Sequence, residues 1–118
     1  MINRKGKVPG DRVLVKLKPT EKVSAGGIVF IDNTVEKNQY ATQEAYVMQI
    51  GSTAWKDYGD GQPWAKIGQL VKVLRYSGED DTTIEEGSVY RVINDVDIVY
   101  VWENEDYEDK ELLRHFND

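Results

Sequence analysis

Few side chains in this sequence are equipped for covalent chemistry. There is one histidine, His115, and no cysteine. Thiolate nucleophiles, thiolate metal sites, multi-histidine metal sites and most triad arrangements therefore drop out together. Two acidic pairs, Asp80-Asp81 and Glu85-Glu86, carry the oxygens a hard cation wants but lack the spacing of a calcium loop, and read as a solvated turn. Neither the glycine-rich dinucleotide fingerprint nor the P-loop pattern occurs, so nothing is set to cradle a nucleotide phosphate. The chain is expected to be no enzyme and to need no cofactor. What remains is binding chemistry. Ile28-Val29-Phe30-Ile31 is a wholly apolar run directly after Gly26-Gly27, and Trp55, Tyr58 and Trp64 surround a Gly59-Asp60-Gly61 turn.

The elements that must carry these residues read as strands. Val13, Val15 and Leu17 alternate with Arg12, Lys16 and Lys18, the period of a half-buried strand, with Pro9-Gly10 before it and Pro19 after. Ala45–Ile50 is a second strand stopped by Gly51, and Gln69–Tyr76 a third between Gly68 and Gly78. Val89–Ile93 is a fourth, and Asp97–Trp102 a fifth, apolar on both faces. A strand of that last kind should be covered on both sides or paired at an interface. The body, residues 1–102, is expected to be a single small all-β barrel or sandwich, consistent with a length of 118 residues.

Charge is unevenly placed. The net charge is −6, and residues 103–118 hold seven acids against two bases, so the body is close to neutral and the acidity sits in the C-terminal tail. A near-neutral body without a basic face argues against a general nucleic-acid binder. In the tail, Asn104 is placed to cap a helix whose first turn holds Glu105, Asp106 and Glu108 and whose last holds Arg114 and His115. Leu112, Leu113 and Phe116 make only a short apolar stripe, so a frayed, solvated helix is expected, with a docked helix or a partner contact as the alternative. No apolar run approaches the roughly 20 residues that span a bilayer, and no signal-peptide stretch follows the basic N-terminus. Cytoplasmic residence and no membrane contact are expected.

Between the first two strands lie residues 19–43, longer than the ~12–15 at which structureless loops become uncommon. Two readings of its centre stand side by side. Ile28–Ile31 is a sixth strand buried in the chain's own core, or it is held out to a partner's apolar groove and orders on binding. Gly26-Gly27 supplies the turn either would use.

Asp11-Arg12-Val13-Leu14-Val15-Lys16, nine residues, then Gly26-Gly27-Ile28-Val29-Phe30 resembles the signature of the small co-chaperonin (GroES) family. Ile67-Gly68-Gln69-Leu70-Val71, Tyr76-Ser77-Gly78 and the run from Tyr90 to Val99 resemble its later strands in the same order, over roughly residues 8–102. Ala45 stands where the family has glycine and Gln69 where it has aspartate. The segment Ser52–Lys66, where bacterial members form the hairpin that roofs the ring, is unlike theirs. Together with the acidic tail it looks more like the co-chaperonins of tailed phages.

The resemblance implies a GroES-like irregular β-barrel with a mobile loop over 19–43. Gly26, Gly27, Ile28, Val29 and Phe30 would bind a GroEL-type chaperonin ring, of host or phage origin. It implies a homo-oligomer of seven copies, joined by the first strand of one against the last of the next, here Arg12, Val13, Leu14 and Val15 against Asp97, Ile98, Val99 and Tyr100. Such a lid encloses a client protein, a phage capsid protein among the candidates, and leaves ATP hydrolysis to the partner. Trp55, Tyr58 and Trp64 are then either a self-packed aromatic hairpin or residues facing the cage and its client. Two rivals are a virion decoration protein on a similar barrel, and a single-strand nucleic-acid barrel using the three aromatics as stacking platforms.

Overall fold

The computed structural model describes residues 4–19 and 42–117. Six strands form one antiparallel sheet. They are β1 (Arg12–Leu17), β2 (Thr42–Ile50), β3 (Gln69–Leu74), β4 (Glu79–Asp81), β5 (Tyr90–Asn94) and β6 (Ile98–Asp106), followed by a helix, α1 (Lys110–Asn117). The spatial order is β4-β5-β1-β2-β3-β6, so β1 lies inside the sheet and β4 and β6 are its edges. The five expected strands are all present, and the fold is all-β with a short C-terminal helix.

Alternation along the strands decides the inner face. Val13 and Val15 of β1, Ala45 and Val47 of β2, Val71 and Val73 of β3, Ile93 of β5 and Ile98 of β6 share one buried cluster with Trp55. β-Branched side chains pack well on a pleated surface, which is why valine and isoleucine dominate here. The register of β1 on β2 shifts between Leu14 and Val15, a bulge that places Met48 and Gln49 in succession before Ile50. Gly51 follows because backbone closes on backbone there: a Cβ would come within 2.0 Å of the Gly10 carbonyl oxygen.

The outer face carries a second buried cluster, Leu14, Met48 and Tyr90 with Leu112, Leu113 and Phe116 of α1. The tail helix is thus docked, and the solvated helix expected from its short stripe is corrected. All three of its apolar residues are buried because Leu14 and Met48 offer an apolar landing on the face that also carries Arg12 and Lys16. The cap is corrected too. Asn104 lies in β6, which runs four residues past Trp102, and Asp109 does the capping: its Oδ1 accepts from the amides of Glu111 and Leu112, both at 3.1 Å.

Two further differences concern loops. β4 was not expected, because Glu79-Asp80-Asp81 has no apolar alternation; it is held by pairing with β5 and by the Arg91–Asp80 ion pair. Residues 51–68 contain no strand, so the aromatic segment is a chain of tight turns and not a hairpin.

Candidate functional site

The expected docking residues Gly26, Gly27, Ile28, Val29 and Phe30, and the alternative strand over Ile28–Ile31, lie outside the described residues. The structure does define the roots from which that segment departs. At the end of β1, the Leu17 amide donates to the Val89 carbonyl and the Lys18 amide to the Glu44 carbonyl, both at 2.9 Å. Lys18 also pairs with Glu44 at 3.6 Å, an exposed contact of little energetic weight.

One step inside, Lys16 is the centre of a compact polar knot. Its Nζ lies 3.0 Å from Glu85 Oε1 and donates to the Tyr107 hydroxyl at 2.8 Å. The Tyr90 hydroxyl donates to the same Glu85 oxygen at 2.7 Å. The ammonium also sits over the rings of Tyr107 and Tyr90, 5.1 and 5.9 Å from their centroids. Burial pulls the Lys16 pKa down, but the hydrogen bonds to Tyr107 and Glu85 outweigh it and leave the value above that of an ordinary lysine. Glu85 shows the converse: burial raises its pKa, and the Tyr90 and Lys16 hydrogen bonds carry it below the usual carboxylate range. Burial, reinforced by the Glu85 hydrogen bond, pushes the Tyr90 phenol well up. Lys16, Glu85 and Tyr90 thus keep their ordinary neutral-pH charge states, and all four groups are mutually satisfied. Three of the four acids in the two pairs are engaged here and nearby: Glu85 holds Lys16, Asp80 pairs with Arg91 and Asp81 accepts from Thr83.

The expected subunit joint divides in two. Val99 and Tyr100 are 47% and 56% exposed on β6, an edge strand that, among the described residues, is bonded only to β3. Tyr100 packs edge-on against Trp102 at 5.0 Å, with the Lys72 ammonium over both rings. Ile98 is buried in the inner core, and Asp97 accepts the Asn94 amide at 3.0 Å. On β1, however, Val13, Leu14 and Val15 are buried, and the strand is bonded on one side to β2 and on the other to β5. A strand bonded on both sides has no edge to offer, so Arg12–Val15 cannot be the pairing segment, and that part of the expectation is corrected.

The three aromatics also separate. Trp55 is 0% exposed, in the inner core, which corrects its reading as a client-facing residue. It is the one described non-glycine residue at positive φ, +62°. Two bonds hold it: its amide donates to Asp95 Oδ2 at 2.7 Å and its indole Nε1 to the Asp95 carbonyl at 2.8 Å. Trp64 stacks on it at 6.1 Å and meets Tyr58 at 5.9 Å. Tyr58 and Trp64 are 44% and 42% exposed, so the turn chain presents two aromatic faces on a rigid buried anchor. Sequence reasoning missed Asp95 and the Lys16 knot. Their partners are 40 or more residues away in sequence (Trp55 from Asp95, Lys16 from Tyr107), and no local pattern signals them.

Residues 6–102 match the Chaperonin 10 Kd subunit family. The chain belongs to that family. A co-chaperonin GroES of Lactobacillus acidophilus is 37% identical over 94 residues, covering 78% of this chain and 93% of the relative. One of Lactobacillus helveticus gives the same figures, and one of Ligilactobacillus salivarius is 38% identical over 93 residues with the same coverage. These relatives are bacterial and lend no support to a phage origin, and the virion decoration reading finds none either. The family match spans the Lys16 and Glu85 side of the knot and ends inside β6. Tyr107 and α1 lie beyond it.

Proposed function

We propose that this chain is a co-chaperonin: a ring of identical copies, seven in the family's pattern, that caps a GroEL-type chaperonin and encloses a client protein. The observation that carries the reading is the family match across residues 6–102, which includes Gly26-Gly27-Ile28-Val29-Phe30. These residues are the proposed contact with the chaperonin rim. The chain itself would contribute no catalytic group, with nucleotide hydrolysis left to the partner. The Lactobacillus and Ligilactobacillus relatives are co-chaperonins, and a cytoplasmic site of action goes with that reading. No described helix is long and apolar enough to cross a membrane.

Energetics favour a ring. Burying Ile28, Val29 and Phe30 is worth roughly 1.5–3 kcal/mol each. Ordering about 5–10 residues costs roughly 1–2 kcal/mol apiece, so one copy gains little on its own. Copies held on one body dock intramolecularly after the first, and weak contacts summed this way remain releasable. The proposed joint is the free edge of β6 with Val99 and Tyr100. On the adjoining copy the stretch ahead of β1, residues 4–9, would meet it, since it belongs to no strand of its own chain. Tyr58 and Trp64 are the proposed client-facing pair.

The test is co-elution with a GroEL-type chaperonin, with and without nucleotide. The parent chain should be retained only when nucleotide is present. The double change Ile28→Ser, Val29→Ser should abolish retention while the melting profile stays that of the parent. A parent chain that never co-elutes, or a double variant that unfolds, defeats the reading.

A further inference from the structure

The polar knot at Lys16 joins parts of the chain that the family match does not account for together. Lys16 lies on β1, three residues before Pro19, where the chain leaves the sheet. Its hydroxyl partner, Tyr107, lies past the end of the match, on the C-terminal segment. Tyr107 is fixed independently of Lys16: its amide donates to the Gly68 carbonyl at 2.6 Å and its ring packs on Tyr46 at 5.0 Å. Behind it, α1 presses Phe116 against Tyr90 at 5.5 Å, and Tyr90 holds the Glu85 carboxylate that pairs with Lys16. The far end of the helix is tied as well. Gln49 Nε2 donates to the Phe116 carbonyl at 2.6 Å, and Asn117 Nδ2 to the Met48 carbonyl at 2.8 Å.

A helix of eight residues is too short to persist alone, since isolated helices below about 12–15 residues are marginal in water. Its order comes from docking on the apolar cluster against which Tyr107 also packs, so the docked helix backs Tyr107 in the position its Gly68 and Tyr46 contacts set. Without Tyr107, Lys16 keeps Glu85 but loses one of its two hydrogen-bond partners and the nearer of its two aromatic faces. The strand end would then be held by two backbone bonds, the remaining Lys16–Glu85 pair and one exposed ion pair.

We propose that residues 107–117 form a clasp, with Tyr107 as a positioning residue that acts through Lys16 to hold the end of β1 where the chain departs toward Gly26–Phe30. The clasp rests on the co-chaperonin reading for what it positions, but not for whether it holds. It fixes the exit point of the docking segment from outside the family-matched part of the chain. A fixed root reduces the ordering the segment must undergo when it engages a partner.

The experiment is hydrogen exchange on full-length Tyr107→Ala, read at the Leu17 and Lys18 amides and, as internal controls, at Val47 and Val71 in the inner core. The clasp predicts about tenfold or faster exchange at 17 and 18, the scale of one lost charge-assisted hydrogen bond, with the controls unchanged. It also predicts weaker nucleotide-dependent retention by the chaperonin. If Tyr107→Ala speeds the controls as well, Tyr107→Phe, which removes only the hydroxyl, decides on the same amides. Unchanged protection at 17 and 18 overturns the clasp, and so does faster exchange with retention unaltered. A parent chain that is never retained defeats the co-chaperonin reading instead, and leaves the exchange result to judge the clasp.

Discussion

Asp95 bonds Trp55 twice, accepting the backbone amide on its carboxylate and the indole Nε1 on its carbonyl, at 2.7 and 2.8 Å. Both residues are buried, and Trp55 sits at positive φ, a conformation that costs an L-residue energy unless its surroundings enforce it. Asp95 is the enforcer, and the turn chain over 51–68 hangs on that pair. Asp95→Ala leaves the Trp55 amide buried without an acceptor, so a loss of roughly 1–3 kcal/mol in denaturant unfolding is expected. The Trp55 emission should shift to the red in the folded state. An unchanged midpoint would mean the turns are held elsewhere.

The docked tail makes a different kind of prediction. Truncating a buried phenylalanine typically costs about 3–5 kcal/mol, but α1 can let go instead of keeping a cavity. Its loss is therefore limited to the free energy of docking. Phe116→Ala and deletion of residues 110–118 should destabilise the sheet by the same amount within error. Gly68→Ala should approach it, because Gly68 has φ +90° and a Cβ there would come within 2.9 Å of Leu113 Cδ1. Equilibrium unfolding of the three variants measures this. If Phe116→Ala costs clearly more than the deletion, the helix is not detaching.

The sheet was legible because β1 keeps period-two patterning and the other strands are β-branched and aromatic runs between turn residues. Val13 and Val15 alternate with charge, and Gly51, Gly68 and Gly78 punctuate. What the pattern could not show was why Leu14 and Met48 are apolar on the polar side. Read alone, Leu14 between Arg12 and Lys16 looks like an incidental apolar residue, and Leu112, Leu113 and Phe116 look too few to anchor a helix. Each group needs the other, and 98 residues separate Leu14 from Leu112 in sequence. The two-sided apolar fifth strand is an edge strand on which Val99 and Tyr100 stand exposed. The family resemblance implied a complementary edge on β1, and sequence order does not reveal that β5 returns to pair there. Trp55 illustrates the same limit. Three aromatics around a glycine turn have one composition whether one is core or all are surface, and only Asp95 decides.

The Lys16 knot sets a pH response with a definite sign. Glu85 has a lowered folded-state pKa, so its contribution is whole above about pH 4.3, the unfolded value, and disappears as pH falls through the folded one. Lys16 is raised, so its contribution is whole below about pH 10.4 and lost as pH climbs through its folded value. Unfolding free energy measured from about pH 5 down to 3 should therefore fall more steeply in the parent than in Glu85→Gln, which has no carboxylate there to protonate. Parallel slopes would show that the knot is not coupled to folding.

The free edge of β6 carries the last prediction. An edge strand with exposed apolar side chains is a liability in a monomer, and Val99 and Tyr100 leave about half their surfaces bare. A joint there accounts for both. Val99→Lys with Tyr100→Lys alters only exposed positions, so the fold and its melting should change little. Light scattering across a sizing column should nevertheless report a folded single copy in place of the ring. That copy retains Gly26–Phe30 unaltered, yet nucleotide-dependent retention by a chaperonin should vanish, because one weak contact lacks the effective concentration its neighbours supply. Full assembly in the double variant would place the joint elsewhere, and retention of a proven single copy would remove the need for a ring.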